Sequence, residues 1–237
     1  MAIYAIGDLH LPGHGQKPMN IFGSHWEGHF ETISTNWIRD IKPTDIVLIP
    51  GDISWAMQLE QAADDLAAIA ALPGRKLILR GNHDYWWSSL QKVREALDPS
   101  IYALQNDALR IENHVFCGTR GWLFPTQQQT LTAQDEKIYQ RELLRLRMSL
   151  TQAKEIASGD DITVLMHFPP LFADGRSTAF TELLEEFSVR RVVYGHLHGS
   201  GIKIAFEGER EGINYCLTSC DALNFCPLCI VKDESQF

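Results

Sequence analysis

No apolar run in the sequence approaches the roughly 20 residues that a membrane-spanning helix needs, so no membrane partner is expected. Basic charge is also in short supply, with 21 Lys and Arg against 30 Asp and Glu and a net charge of −9. A dedicated nucleic-acid surface neutralises phosphates with a basic patch, and this balance argues against one. Anionic substrates stay open, because bound divalent cations reverse the local field. Cysteine is sparse: Cys117, Cys216, Cys220, Cys226 and Cys229. The start, Met1-Ala2-Ile3-Tyr4, lacks the basic and long apolar regions of a secretory signal. An odd cysteine count without such a signal favours reduced thiols and a cytoplasmic location. No linker, repeat or low-complexity stretch interrupts the chain, so residues 1–237 are expected to form one domain.

Short apolar runs that read as buried strands recur instead, at Ile3–Ile6, Ile46–Ile49, Lys76–Leu79, Ile162–Met166 and Val192–Tyr194. Helical patterning fills the intervals: Phe30–Ile41, Leu59–Leu72, Trp87–Leu97, a long amphipathic Ala133–Ala157 and Thr178–Phe187. Ala108–Ile111 and Val115–Cys117 flank a turn and read as a hairpin. Beyond residue 200 the pattern turns to strand, at Ile202–Phe206, Ile213–Thr218 and Pro227–Val231, which predicts closing antiparallel hairpins. The class is α/β with two sheets. A helix as long as 133–157 can protrude, which leaves room for a homodimer.

Five polar blocks follow the strands: Gly7-Asp8-Leu9-His10, Gly51-Asp52, Gly81-Asn82-His83-Asp84, His167 and Gly195-His196-Leu197-His198. Ligands collect at the carboxyl ends of strands in open α/β sheets, so Asp8, His10, Asp52, Asn82, His167, His196 and His198 are expected to converge on one rim. That set is too rich for one metal ion with an open position and suits two. Nitrogen and oxygen donors without thiolate favour Mn, Fe or Zn over Ca or Mg. Two cations about 3.5–4 Å apart need a bridging carboxylate, and Asp52, central in chain order, is the natural candidate.

These blocks, in this order, resemble the calcineurin-like metallophosphoesterases, and the likeness extends from Asp8 to His198. The Gly51-Asp52-Ile53-Ser54-Trp55 and Asn82-His83-Asp84-Tyr85-Trp86-Trp87 variants look like a bacterial predicted-phosphohydrolase branch. The resemblance implies a two-sheet αββα sandwich of mixed sheets. It implies one metal on Asp8, His10 and His198, another on Asn82, His167 and His196, and Asp52 between them. The expected reaction is phosphoester hydrolysis, as phosphatase or phosphodiesterase, of a small phosphorylated substrate. A metal-bridging hydroxide would attack in line. His83 would protonate the leaving group, and Asp84 would hold the His83 ring in its tautomer. Rival readings are a nucleotide pyrophosphohydrolase or nuclease on the same scaffold, and a non-catalytic protein-binding scaffold.

Substrate contacts are sought outside the blocks. Arg80 and Arg120 follow strands, and the Gly118-Thr119-Arg120-Gly121-Trp122 turn could present a guanidinium to phosphate or simply form an ion pair. His14, His25 and His29 lie in the long loop of residues 11–28 and its margin, as lid contacts or ordinary solvated histidines. Trp55, Trp86 and Trp87 could stack on a base, but at least two of them are expected to pack the ligand loops. Cys216, Cys220, Cys226 and Cys229 read as buried free thiols in strands rather than a zinc site.

Overall fold

The computed structural model describes residues 1–13, 15, 19–125 and 130–232. In chain order its strands and helices are β1 (Ile3–Ala5), α1 (His29–Asp40), β2 (Ile46–Ile49), α2 (Ala63–Ala70), β3 (Arg75–Leu79), α3 (Leu90–Ala96) and β4 (Ile101–Leu104). There follow β5 (Ala108–Ile111), β6 (His114–Thr119), α4 (Ala133–Ile156), β7 (Asp161–Met166), α5 (Ala179–Glu186), β8 (Arg191–Tyr194), β9 (Gly208–Arg210), β10 (Ile213–Leu217) and β11 (Leu228–Val231).

One sheet has the order β11-β1-β2-β3-β4 and the other β5-β6-β7-β8-β10-β9. The inner strands of each are parallel, and antiparallel β11, β5 and β9 close three edges. Strands buried on both faces explain the unbroken apolar runs. Alternation assigns the faces. Ile46, Leu48, Leu77 and Leu79 meet Phe116, Leu165 and Val193 between the sheets. Val47, Ile49 and Ile78 face outward onto Ile33 and Trp37 of α1, Leu66 and Ile69 of α2 and Val93 of α3. Val115, Cys117, Val164, Met166 and Val192 face outward onto α4 and α5. The result is the expected sandwich, two mixed sheets flanked by helices. Among the described residues no helix is long and apolar enough to cross a membrane.

The differences from the sequence reading sit mostly in the last third. Residues 202–206 are not a strand; Gly199–Ile204 is a 3-10 helix. Ile202 and Ile204 mimic strand alternation, but Ile204 is exposed and the sheet edge nearby belongs to β9. β10 is parallel to β8, and β11 crosses to the other sheet to pair antiparallel with β1, so only β9–β10 makes a closing hairpin. β4 and β9 are additional to the strands expected from the sequence. Leu59–Ala62 is a 3-10 turn leading into α2, and α3 begins at Leu90 rather than Trp87. α4 lies along its sheet, burying Tyr139, Leu146, Leu150 and Ala153, while Leu144 and Met148 stay exposed.

Phe116 anchors the layer between the sheets and is fully buried. Phe116→Ala is expected to lower the unfolding free energy by about 3–5 kcal/mol, read from denaturant midpoints at unchanged slope.

Candidate metal centre

Backbone pairing continues past the ends of β1 and β2. Asp8 N donates to Gly51 O, His10 N to Asp52 O and Leu11 N to Ile53 O, each at 2.9 Å. The two sheets are joined at the same level, where Gly7 N donates to Thr218 O (2.6 Å) and Cys220 N to Gly7 O (3.1 Å). The loops then turn sharply: Asp8, His10, Asp52 and His196 have φ of 57°, 46°, 52° and 73°. A left-handed non-glycine residue costs on the order of 1–3 kcal/mol, and it persists only where the surroundings over-determine it. Two glycines permit the approach. A Cβ on Gly195 would overlap the Asp8 carboxylate, and one on Gly81 would overlap Asp52.

All seven expected ligand residues come together. His10 Nε2 lies 3.3 Å from His198 Nε2 and 3.9 Å from Asp52 Oδ2. Asp8 Oδ1 lies 3.5 Å from His198 Nε2 and 3.8 Å from His167 Nδ1. His167 Nε2 is 3.4 Å from Asp52 Oδ2 and 2.6 Å from Asn82 Oδ1, and His196 Nδ1 is 2.9 Å from the same amide oxygen. Two triads have donor atoms all within 4.8 Å: Asp8, His10 and His198, and Asp8, Asp52 and His167. Asp8 is thus common to both triads, while Asp52 faces one imidazole of each expected set, His10 and His167.

The chemistry of this donor set fits divalent cations. Asp8 and Asp52 face imidazoles rather than lysine or arginine. Without a cation, burial and the neighbouring Asp84 and Asp8 push the Asp52 carboxyl up to about 9. Burial holds the His10 and His196 imidazoles down to about 3, and lowers His167 as well, so all three are neutral and able to coordinate. His198 alone goes the other way: burial opposes charge, but hydrogen bonds with Asp221 and Asp8 hold it up to about 10. Asp8 is held below the usual carboxylate range, its burial outweighed by His198. Buried carboxylates set against neutral imidazoles make a donor set that a divalent cation would complete.

Neighbouring groups aim the rings. His167 Nδ1 donates to Pro50 O at 3.0 Å, leaving Nε2 to face the centre. His198 Nδ1 bonds Asp221 Oδ1 at 2.8 Å, and Asp221 also accepts from Gly199 N. The sequence reading missed Asp221. It lies just past β10, a sixth strand end, and the antiparallel hairpin expected there would carry that end away from the rim. Since β10 runs parallel to β8, its carboxyl end reaches the same rim.

His83 donates its backbone N–H to Asp52 Oδ1 (2.8 Å), and its ring packs 4.5 Å from that of Trp55. Asp84 has a different job from the one expected. Its buried carboxylate accepts from Gly81 N, Ile53 N, Ser54 N and Trp86 Nε1, tying the β2 and β3 loops together. Arg120 follows the ion-pair alternative rather than a contact in the cleft: its guanidinium lies over Trp122 and near Glu142, in a separate pocket, while its carbonyl accepts from His167 N. His29 places Nε2 at 2.9 Å from Leu9 O and Nδ1 at 3.2 Å from Trp26 O, clamping two loops. His25 is exposed and packs near Trp26 and Phe225 rather than lining the cleft. His14 lies outside the described residues.

The cleft over the centre has a volume of about 370 Å³. Met19, Phe22, Trp26 and Trp55 wall it, and Asp52, His83 and His198 floor it. Trp55 stacks on His10 at 4.9 Å, so it both packs a ligand ring and faces the cleft. Trp86 and Trp87 are buried packing residues. The cysteines are all free, but only Cys117 and Cys220 are buried, and Cys229 is exposed. Cys220 Sγ donates to Asp8 O (3.0 Å), and Cys226 precedes β11 rather than lying in it.

Residues 1–200 match a family model described as calcineurin-like phosphoesterase. No curated protein sequence matches the chain. Among solved structures the chain is similar to a protein of unknown function from Aquifex aeolicus, with 18% identity, 96% of this chain and 94% of that one covered, and a TM-score of 0.48. It is also similar to a phosphopantetheinyl hydrolase from Mycobacterium tuberculosis, with 14% identity, coverage of 90% and 87%, and a TM-score of 0.54.

Because a side chain at position 195 must displace the Asp8 carboxylate, Gly195→Ala is expected to cost about 1–3 kcal/mol, seen as a lowered thermal midpoint. An unchanged midpoint would show that the rim is slack.

Proposed function

The chain belongs to the calcineurin-like phosphoesterases, hydrolases that act on phosphoester bonds, and from this we propose a two-metal phosphatase or phosphodiesterase centred on Asp52. The observation that carries the reading is the pair of Asp/His triads sharing Asp8 at the meeting of two sheets, buried except at His198. Asp8, His10 and His198 would hold one ion, and Asn82, His167 and His196 the other. Asp52 would face both, with Asp8 placed to contribute to each. Donors of nitrogen and oxygen favour Mn, Fe or Zn. When bound, such ions neutralise phosphoryl oxygens and make water a competent nucleophile near neutral pH.

This chain's residues do the rest. The floor of the cleft orients the phosphoryl group, with Asp52 itself fixed by the His83 backbone N–H. The His83 ring, beside Trp55 in the cleft wall, delivers the proton that the departing alkoxide takes as its bond to phosphorus breaks. Trp26 and Trp55 give an aryl or nucleoside leaving group an aromatic surface and shield the phosphoryl group from bulk water. Asp221 holds the His198 ring, and Asp84 keeps the loops of Asp52 and Asn82 in register.

Activity on p-nitrophenyl phosphate or its bis ester is expected to vanish on chelation and to return with Mn, Fe or Zn. His83→Ala is expected to keep its metal content while kcat falls about 10²–10⁴-fold, whereas Asp52→Asn loses metal together with activity. Full activity and two metals in Asp52→Asn would refute the site. Asp221→Asn should weaken metal affinity about 10–100-fold in chelator competition, with the fold intact by circular dichroism.

A further inference from the structure

A second polar pocket, of about 220 Å³, lies at the ends of β3 and β6 against α4. Arg80 follows β3 and Arg120 follows β6, while Arg141, Glu142 and Arg145 come from α4. Four guanidinium groups therefore share one pocket with one carboxylate. Glu142 is 1% exposed and already engaged, accepting from Arg145 Nη1 at 2.7 Å and Thr119 Oγ1 at 2.5 Å. Arg120 and Arg141 stand off from it at 3.9 Å. The Nε atoms of Arg80 and Arg120 are buried with no hydrogen-bond partner.

Such an arrangement is unfavourable as it stands. A buried N–H without an acceptor costs about 1–3 kcal/mol, more when it carries charge. Burial lowers the Arg120 guanidinium, and Arg80, Arg141 and Arg145 push it further, against the pull of Glu142. In a chain of net charge −9, three unbalanced cations in one small pocket mark a place where an anion is the missing partner. The planar forks suit an oxyanion, which accepts two N–H bonds from each. Trp122 stacks under Arg120 at 4.5 Å and holds its plane ready. The volume accommodates a group of phosphate size.

We propose that this arginine pocket binds a phosphate-class oxyanion at a site separate from the centre where the phosphoester is cleaved. Its walls adjoin that centre. Arg80 is two residues before Asn82, and the Arg120 carbonyl accepts from His167 N at 3.1 Å. The oxyanion is either a second phosphoryl group of the substrate or free inorganic phosphate. The assignment does not depend on the metal centre.

Calorimetric titration of the metal-loaded protein with inorganic phosphate, before and after chelation, tests it. Chelated wild type should still bind one phosphate, more weakly as salt rises. Arg80→Gln/Arg141→Gln should weaken that binding at least tenfold, and Arg141→Gln alone, at a half-exposed position, at least threefold with an unchanged thermal midpoint. No phosphate binding after chelation, or equal binding in Arg141→Gln and wild type, overturns the proposal. Kinetics of the double variant assign the source. A raised KM for a nucleoside diphosphate but not for p-nitrophenyl phosphate identifies a second phosphoryl group of the substrate. Unchanged KM for both, with phosphate binding lost, identifies free phosphate.

Discussion

Everything at the rim of this sandwich depends on burying carboxylates side by side. Asp8, Asp52 and Asp84 are almost wholly shielded from water, and each reaches the same few loops. Like charges in a poorly solvated space repel strongly, so each needs its own compensation. Asp84 takes four hydrogen-bond donors, Asp8 takes the His198 imidazole and the backbone N–H of His196, and Asp52 takes the N–H of His83. What remains uncompensated sits at Asp52, which is where divalent cations are most useful. The fold serves this arrangement: parallel strands in two sheets deliver their carboxyl ends to one seam, and Phe116, Leu165 and Val193 keep the sheets in register beneath it.

Much of this was legible in the residues. Runs such as Ile46–Ile49 and Ile162–Met166 announce strands buried on both faces, and blocks after them announce a rim. Gathering Asp8, His10, Asp52, Asn82, His167, His196 and His198 required only the rule that strand ends collect ligands. What was not legible depended on strand direction and on competition for partners. Ile213–Leu217 reads as a strand either way, but only its parallel pairing with β8 brings Asp221 beside His198. Ile202 and Ile204 alternate like strand residues, yet they fall in a 3-10 helix and Ile204 stays exposed.

Asp84 and Arg120 show a second limit. Sequence adjacency suggests that Asp84 serves its neighbour His83, but backbone N–H groups from across the fold occupy its oxygens first. Arg120 follows a strand like the ligands do, yet β6 lies nearer the far side of its sheet, and its guanidinium turns to Glu142 on α4. A residue's place in the chain says which rim it reaches; its angle around that rim is decided by what packs behind it.

The left-handed backbone at Asp8, His10, Asp52 and His196 bears on how this protein tolerates change. Glycine is the residue those torsions favour, so selection for stability alone would drift toward glycine at positions where a donor atom stands. The centre therefore survives by opposing the conformational preference of its own backbone, and robustness of the fold and retention of the chemistry pull these four positions in opposite directions.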